Sequence, residues 1–143
     1  MRKDMFIRMK SLKWSWANLS RHLWWAWKIR NVAAHYFPST CTTFFQWIDG
    51  SFATQKPIPG DIDVVSFIDY DQIAKNARAV YHFTENAKRL YEVDAHFAPT
   101  VSRKHRFHQR AMTDEIYWKN IFGFSREDKN SQRHPKGIIK IKI

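Results

Sequence analysis

Trp47-Ile48-Asp49-Gly50-Ser51-Phe52, followed by Asp61-Ile62-Asp63-Val64-Val65, is the stretch that decides the reading of this 143-residue chain. A Gly-Ser pair leaves one apolar segment, and two carboxylates separated by a single residue open the next. Residues i and i+2 of a strand project from the same face. A strand over residues 61–68 therefore carries Asp61, Asp63, Val65 and Phe67 on one face and Ile62, Val64 and Ile68 on the other. Such a strand is apolar on both sides except at one end, which is how a site at a strand end looks. Two carboxylates side by side repel unless a cation sits between them. Mg²⁺ suits the place, because it takes one or two protein carboxylates and leaves its other positions to water and phosphate oxygens. Mn²⁺ is the alternative ion. Gly50 and Ser51 suit a phosphate, since glycine admits close backbone approach and exposed N–H groups form an anion nest. Plain turn chemistry could explain Gly60-Asp61, and a hairpin could explain Asp49-Gly50. Neither accounts for Asp63, which brings a charge into a buried strand.

Around this centre the pattern is that of a small mixed sheet with helices, an α+β class. Residues 42–48 are rich in β-branched and aromatic types and read as the strand before the turn. Residues 54–60 hold two prolines and a glycine and read as a loop. A helix capped by Asp69 or Asp71 runs through Ile73, Ala77, Val80 and Tyr81, restarts near Thr84 and ends near Tyr91. Val93 to Ala98 reads as a third strand stopped by Pro99. A further helix spans about residues 107–122, with Phe107, Ala111, Trp118, Ile121 and Phe122 inward and Gly123 as its stop. Residues 125–136 form a charged loop, and Ile-Lys alternation over 138–143 reads as an edge strand guarded by lysines. Upstream, Trp16, Leu19, Leu23 and Trp27 recur at helical spacing between about residues 15 and 36.

The length accommodates one domain over residues 1–143. Its parts are a basic, Trp-rich helix in 1–40, a core in 41–98, and a helix, charged loop and edge strand in 99–143. The formal net charge is +11 and aromatics reach 16%. A solvated basic face is the bland reading of the charge, and a polyanion such as RNA, DNA or nucleotide phosphate is the functional one. The aromatic excess leaves some rings for an interface, including one between copies of the chain. The single Cys41 excludes an intramolecular disulfide and a Cys-rich zinc site, and fits a reducing cytoplasm. No segment reaches the ~18 apolar residues of a membrane span.

Gly50-Ser51, a short spacer and Asp61-x-Asp63, with Asp94 on the next strand-like run, resemble the polymerase-β-like nucleotidyltransferases. The compact form resembles the minimal nucleotidyltransferases of prokaryotic toxin–antitoxin modules. The likeness covers roughly residues 44–98. The spacer is about one residue shorter than the common form, and its Lys56-Pro57-Ile58-Pro59-Gly60 cannot be the usual helical turn. The resemblance implies a palm-like fold, two Mg²⁺ ions and a nucleoside triphosphate as donor. It implies Asp61, Asp63 and Asp94 as metal-binding catalytic residues, with Gly50, Ser51 and Lys56 at the phosphates. It also implies transfer of a nucleoside monophosphate to a macromolecular hydroxyl, on an RNA such as tRNA or on a protein, in a toxin–antitoxin or phage-defence setting. Two other classes stand beside it. One is an inactive nucleotidyltransferase fold that binds RNA or neutralises a partner. The other is a basic nucleic-acid-binding protein with coincidental motifs.

Several further residues carry paired readings. Lys56 either reaches the triphosphate or is solvated. His96, two residues past Asp94, shares its strand face and either orients a carboxylate or is structural. The Lys/Arg/His group at 103–110 either grips RNA or is a solvated face. Tyr117 and Trp118 either stack a base or belong to the core.

Overall fold

A computed structural model describes residues 45–49 and 62–142. The expected helix at 15–36, the start of the first strand at 42–44, the Pro-containing loop, and Gly50, Ser51, Lys56 and Asp61 lie outside the described residues. The described elements are β1 (Phe45–Asp49), β2 (Ile62–Asp69), α1 (Tyr70–Lys75), α2 (Ala77–Tyr91), β3 (Val93–Thr100), α3 (His108–Phe122) and β4 (Ile139–Lys142). The four strands form one mixed sheet in the order β3-β2-β1-β4. β1 pairs antiparallel with both β2 and β4, and β2 pairs parallel with β3. A parallel pair needs a crossover connection, and α1 and α2 supply it. The α+β class with a small mixed sheet packed by helices is therefore the architecture of the chain.

The sheet is covered on both faces. Ile48, Ile62, Val64, Val93 and Ala95 meet Phe83 and Ala87 of α2 on one side. Phe83 and Ala87 stand four apart and so share one helix stripe. On the other side Trp47, Val65, Phe67 and Ala98 pack with Phe122 of α3. β2 lies at the centre with Ile62, Val64, Val65, Phe67 and Ile68 almost wholly buried. Its near-continuous apolar run is what burial on both faces requires. Gln46 and Ser66 form a buried polar pair across the ladder: Gln46 Nε2 donates to Ser66 Oγ at 3.0 Å, and the two residues are register partners.

Four local expectations are corrected. The helix after β2 breaks at Asn76, not near Thr84. The Asn76 side chain and backbone N–H both donate to Gln72 O, at 2.8 and 3.1 Å, and close α1 locally. Thr84 instead donates its hydroxyl to Val80 O and continues the helix. Pro99 does not stop β3, because β3 lies at the edge of the sheet among the described strands, where a residue lacking N–H costs no ladder bond on the outer side. Ile121 faces outward at 43% exposure, whereas Ala111 and Phe122 are buried as expected. Tyr117 is also exposed and leaves the core to Trp118, which is half-buried. Of the two proposed caps, Asp69 is the one used, with its side chain accepting from Asp71 N at 2.9 Å.

One turn sets the register on which the site depends. Glu92 follows α2 in the left-handed region, at φ 58° and ψ 33°. Its N–H donates to Lys88 O at 3.1 Å, and its carbonyl accepts from Ile62 N at 3.1 Å. This clamp joins the end of α2 to the first residue of β2. It thereby starts β3 with Val93 opposite Ile62 and Asp94 opposite Asp63.

Candidate carboxylate site

Three aspartates stand in a row across adjacent strands. Asp49 is the register partner of Asp63, and Asp63 is the register partner of Asp94. Directly opposed residues on neighbouring strands have Cβ atoms about 5 Å apart. Alternation puts all three on one face: Asp49 lies two residues from Trp47, Asp63 two from Val65, and Asp94 four from Ala98, all of the α3-side cluster. The row marks the end of β1 and the beginnings of β2 and β3. The expected juxtaposition of Asp63 with the later Asp94 is thus present, on parallel neighbouring strands, whereas Asp61 lies outside the described residues.

The members differ in surroundings. Asp94 is part-exposed, with His96 Nε2 at 3.2 Å from its Oδ1 and Lys88 Nζ at 3.8 Å from its Oδ2. His96 lies against Trp118, with ring centroids 4.6 Å apart. The shared strand face of His96 and Asp94 was legible from their spacing, and the contact follows from it. Asp63 is half-buried. Asp49 is almost fully enclosed, with 7% of its side chain exposed. Its Oδ2 accepts from Lys136 Nζ at 2.5 Å, and its Oδ1 is buried with no hydrogen-bond partner among the described residues.

The Asp49–Lys136 pair is the part of the site that sequence reading missed. Asp49 reads as a turn residue next to glycine, yet β1 extends through it. Lys136 sits in the charged loop, and nothing local marks it. The signal that could have found Asp49 is antiparallel pairing itself: once Trp47 faces Val65, Asp49 must face Asp63.

The donor set of hard carboxylate oxygens fits Mg²⁺. Among the described residues no three His, Cys, Asp or Glu side chains are grouped closely enough to hold a metal ion. Asp63 and Asp94 would supply two oxygen ligands, and a complete shell would need a third group or water.

The basic segment 103–110 lies elsewhere. Asp94 is the second residue of β3, and the segment follows the strand's far end at Thr100, so the two are separated by six strand residues, about 20 Å. There Tyr70, His105 and Phe107 cluster, with Arg106 over the Phe107 ring at 4.5 Å. The charge of the chain is also uneven. Residues 1–44 hold eight Lys and Arg against one acidic residue, whereas the described residues hold fifteen against eleven. No helix of the described residues is long and apolar enough to cross a membrane.

A two-faced mixed sheet with a carboxylate row at one strand end defines an α+β protein with an acidic site on its sheet. The chain belongs to the family described as a family of unknown function, DUF6932, whose model matches residues 16–142. No curated protein and no solved structure matches it.

Proposed function

We propose that this protein is a Mg²⁺-dependent nucleotidyltransferase that moves a nucleoside monophosphate from a nucleoside triphosphate to a macromolecular hydroxyl. The observation that carries the reading is the register of Asp63 with Asp94, which sets two carboxylates side by side on one face of parallel strands. The Gly50-Ser51 and Asp61-x-Asp63 pattern supports it from the sequence.

In this reading Asp61, Asp63 and Asp94 hold the cations. Bound there, divalent ions neutralise the phosphate oxygens and the charge growing on attacking and leaving oxygens. The acceptor hydroxyl oxygen bonds to the α-phosphorus as the bond to the β-phosphate oxygen breaks, and pyrophosphate leaves. Asp94, at the part-exposed end of the row, takes the hydroxyl proton. His96 fixes the Asp94 carboxylate from 3.2 Å, and Trp118 limits the movement of His96. Gly50 and Ser51 hold the terminal phosphates through backbone N–H groups and the hydroxyl. An RNA acceptor such as tRNA matches the positive excess, most of which lies in residues 1–44.

The test is label transfer. Full-length protein is incubated with Mg²⁺, each α-labelled triphosphate in turn, and RNA or protein from a cell extract. Transfer to one acceptor class is expected, with loss of about 100-fold or more in Asp63→Ala and Asp94→Ala. Absence of transfer with every triphosphate, or equal transfer by the two variants, overturns the reading. Tight binding of RNA or a protein partner that ignores both substitutions would establish the non-catalytic binding module instead.

A further inference from the structure

We propose that Lys136 is the phosphate-binding cation of the carboxylate site and that Asp49 is its positioning residue; the placement of a triphosphate there rests on the nucleotidyl-transfer reading.

The argument begins with what the pair would be if it were only structural. A buried ion pair gains little over apolar side chains of similar volume, because both charges lose water. A structural pair should at least satisfy both carboxylate oxygens. Asp49 does not: Oδ2 is bonded to Lys136, while Oδ1 is buried without a partner among the described residues. The pair is also lopsided, with 7% of the Asp49 side chain exposed against 31% of Lys136. One end is sealed into the sheet and the other opens to solvent. An ammonium has three donors. Asp49 takes one, and no other described residue accepts from Lys136. Among the described residues the remaining donors meet no acceptor, and the side chain is 31% exposed, one strand away from Asp63.

The base of Lys136 is fixed. Its backbone N–H donates to Gly123 O at 2.7 Å, and Pro135 just before it bridges Phe124. A long side chain anchored at both ends loses little further freedom when a ligand arrives, which favours binding. Lys88, the other described lysine beside the row, is 64% exposed and faces Asp94 at 3.8 Å rather than Asp49. An anion held beside a row of carboxylates requires compensating cations. Asp63 and Asp94 would hold Mg²⁺ as one such cation, and the Lys136 ammonium beside Asp49 is the other. The ligand class is a chain of phosphates, long enough to reach both.

Inorganic tripolyphosphate is the probe, titrated calorimetrically into full-length protein with Mg²⁺. Binding by the wild type is expected. Lys136→Met should weaken it by about 10- to 100-fold, the worth of a charge-assisted hydrogen bond. Lys136→Arg should retain most of it, and Asp49→Asn should fall between. If Lys136→Met does not fold, chemistry on the wild type decides. Tripolyphosphate should protect Lys136 from reductive methylation, read by peptide mass spectrometry. Unchanged affinity in Lys136→Met, or no protection of Lys136, overturns the proposal. If label transfer occurs while Lys136 is indifferent to tripolyphosphate, the Lys136 role fails and nucleotidyl transfer stands. Binding at Lys136 without any transfer leaves the phosphate site and removes the reaction.

Discussion

Removing Lys136 should cost far more stability than removing the charge of its partner. Lys136→Met leaves the Asp49 carboxylate 93% enclosed, with Oδ1 and Oδ2 both lacking donors, beside Asp63 in the row. Breaking a buried pair from that side costs about 3–5 kcal/mol, because an uncompensated charge stays behind. Asp49→Asn leaves an ammonium that is one-third exposed and can turn to water, so about 1 kcal/mol is expected. The double variant Asp49→Asn/Lys136→Met should be more stable than Lys136→Met alone, since it removes the stranded charge. With a double-variant loss of about 2 kcal/mol, the coupling energy is about 2–4 kcal/mol in magnitude, well above the ~0.3–0.5 kcal/mol scatter of independent sites. Urea unfolding of the full chain at neutral pH measures all three variants, with tryptophan fluorescence and circular dichroism tracked together to test for a single transition. Melting should fall by about 2–4 °C per kcal/mol for a chain of this size. Added salt should change the coupling little, since screening acts weakly on enclosed pairs. Equal losses in the two single variants, or simple addition in the double, would refute the asymmetry and with it the description of Asp49 as a sealed charge.

Three further outcomes follow from local geometry. Glu92→Gly should raise stability by about 0.5–1 kcal/mol, because glycine removes the steric cost of φ 58° and keeps the Ile62 clamp, which uses only backbone; a lower melting temperature would contradict this. Gly123→Ala should destabilise by about 1–3 kcal/mol, since a Cβ there would lie 2.5 Å from Lys119 O, a backbone atom that cannot swing away, and the denaturant midpoint reads the loss. The loop at 125–134 should loosen in acid. The Asp128 carboxyl is held below the usual carboxylate range by hydrogen bonds from Gln132 N–H, then His134, then Asn130 N–H, against a small opposing effect of burial. A lowered folded value means a contribution that is present above the unfolded value and lost as pH falls through the folded one. Hydrogen exchange at the Asn130 and Gln132 amides should therefore accelerate below about pH 4 in the wild type, and be insensitive to pH, after correction for intrinsic rates, in Asp128→Asn.

The legible parts of the chain were those written in short-range pattern. The apolar run of β2, the Ile-Lys alternation of β4 and the spacing of Asp94 from His96 each follow from period two and are found where expected. α3 is in place from its apolar spacing, but Ile121 and Tyr117 show how spacing alone overfills a helix face when the sheet offers room only for Ala111, Trp118 and Phe122. Asn76 and Thr84 exchanged roles because both compete for the carbonyl four residues back, and only Asn76 also closes the backbone there. Asp49 was hidden by register, which a long connection between β1 and β2 does not fix. Lys136 was hidden by distance, since no periodicity relates residues 87 apart. The basic segment at 103–110 was visible as composition, but only the direction of β3 reveals that it lies at the other end of the sheet from Asp94.

The pairing of β1 with β4 bears on when the site comes into being. Asp49 emerges early in synthesis and Lys136 late, and the strand that lies against β1, Ile139–Lys142, is later still. Contacts of such long sequence separation form only after the intervening chain is available. A nascent chain carrying Asp49, Asp63 and Asp94 therefore still lacks both the strand that pairs with β1 and the ammonium that pairs with Asp49. This order of assembly makes the C-terminal segment a timing device for the sheet: Asp49 acquires its cationic neighbour only once the chain through Lys136 is available.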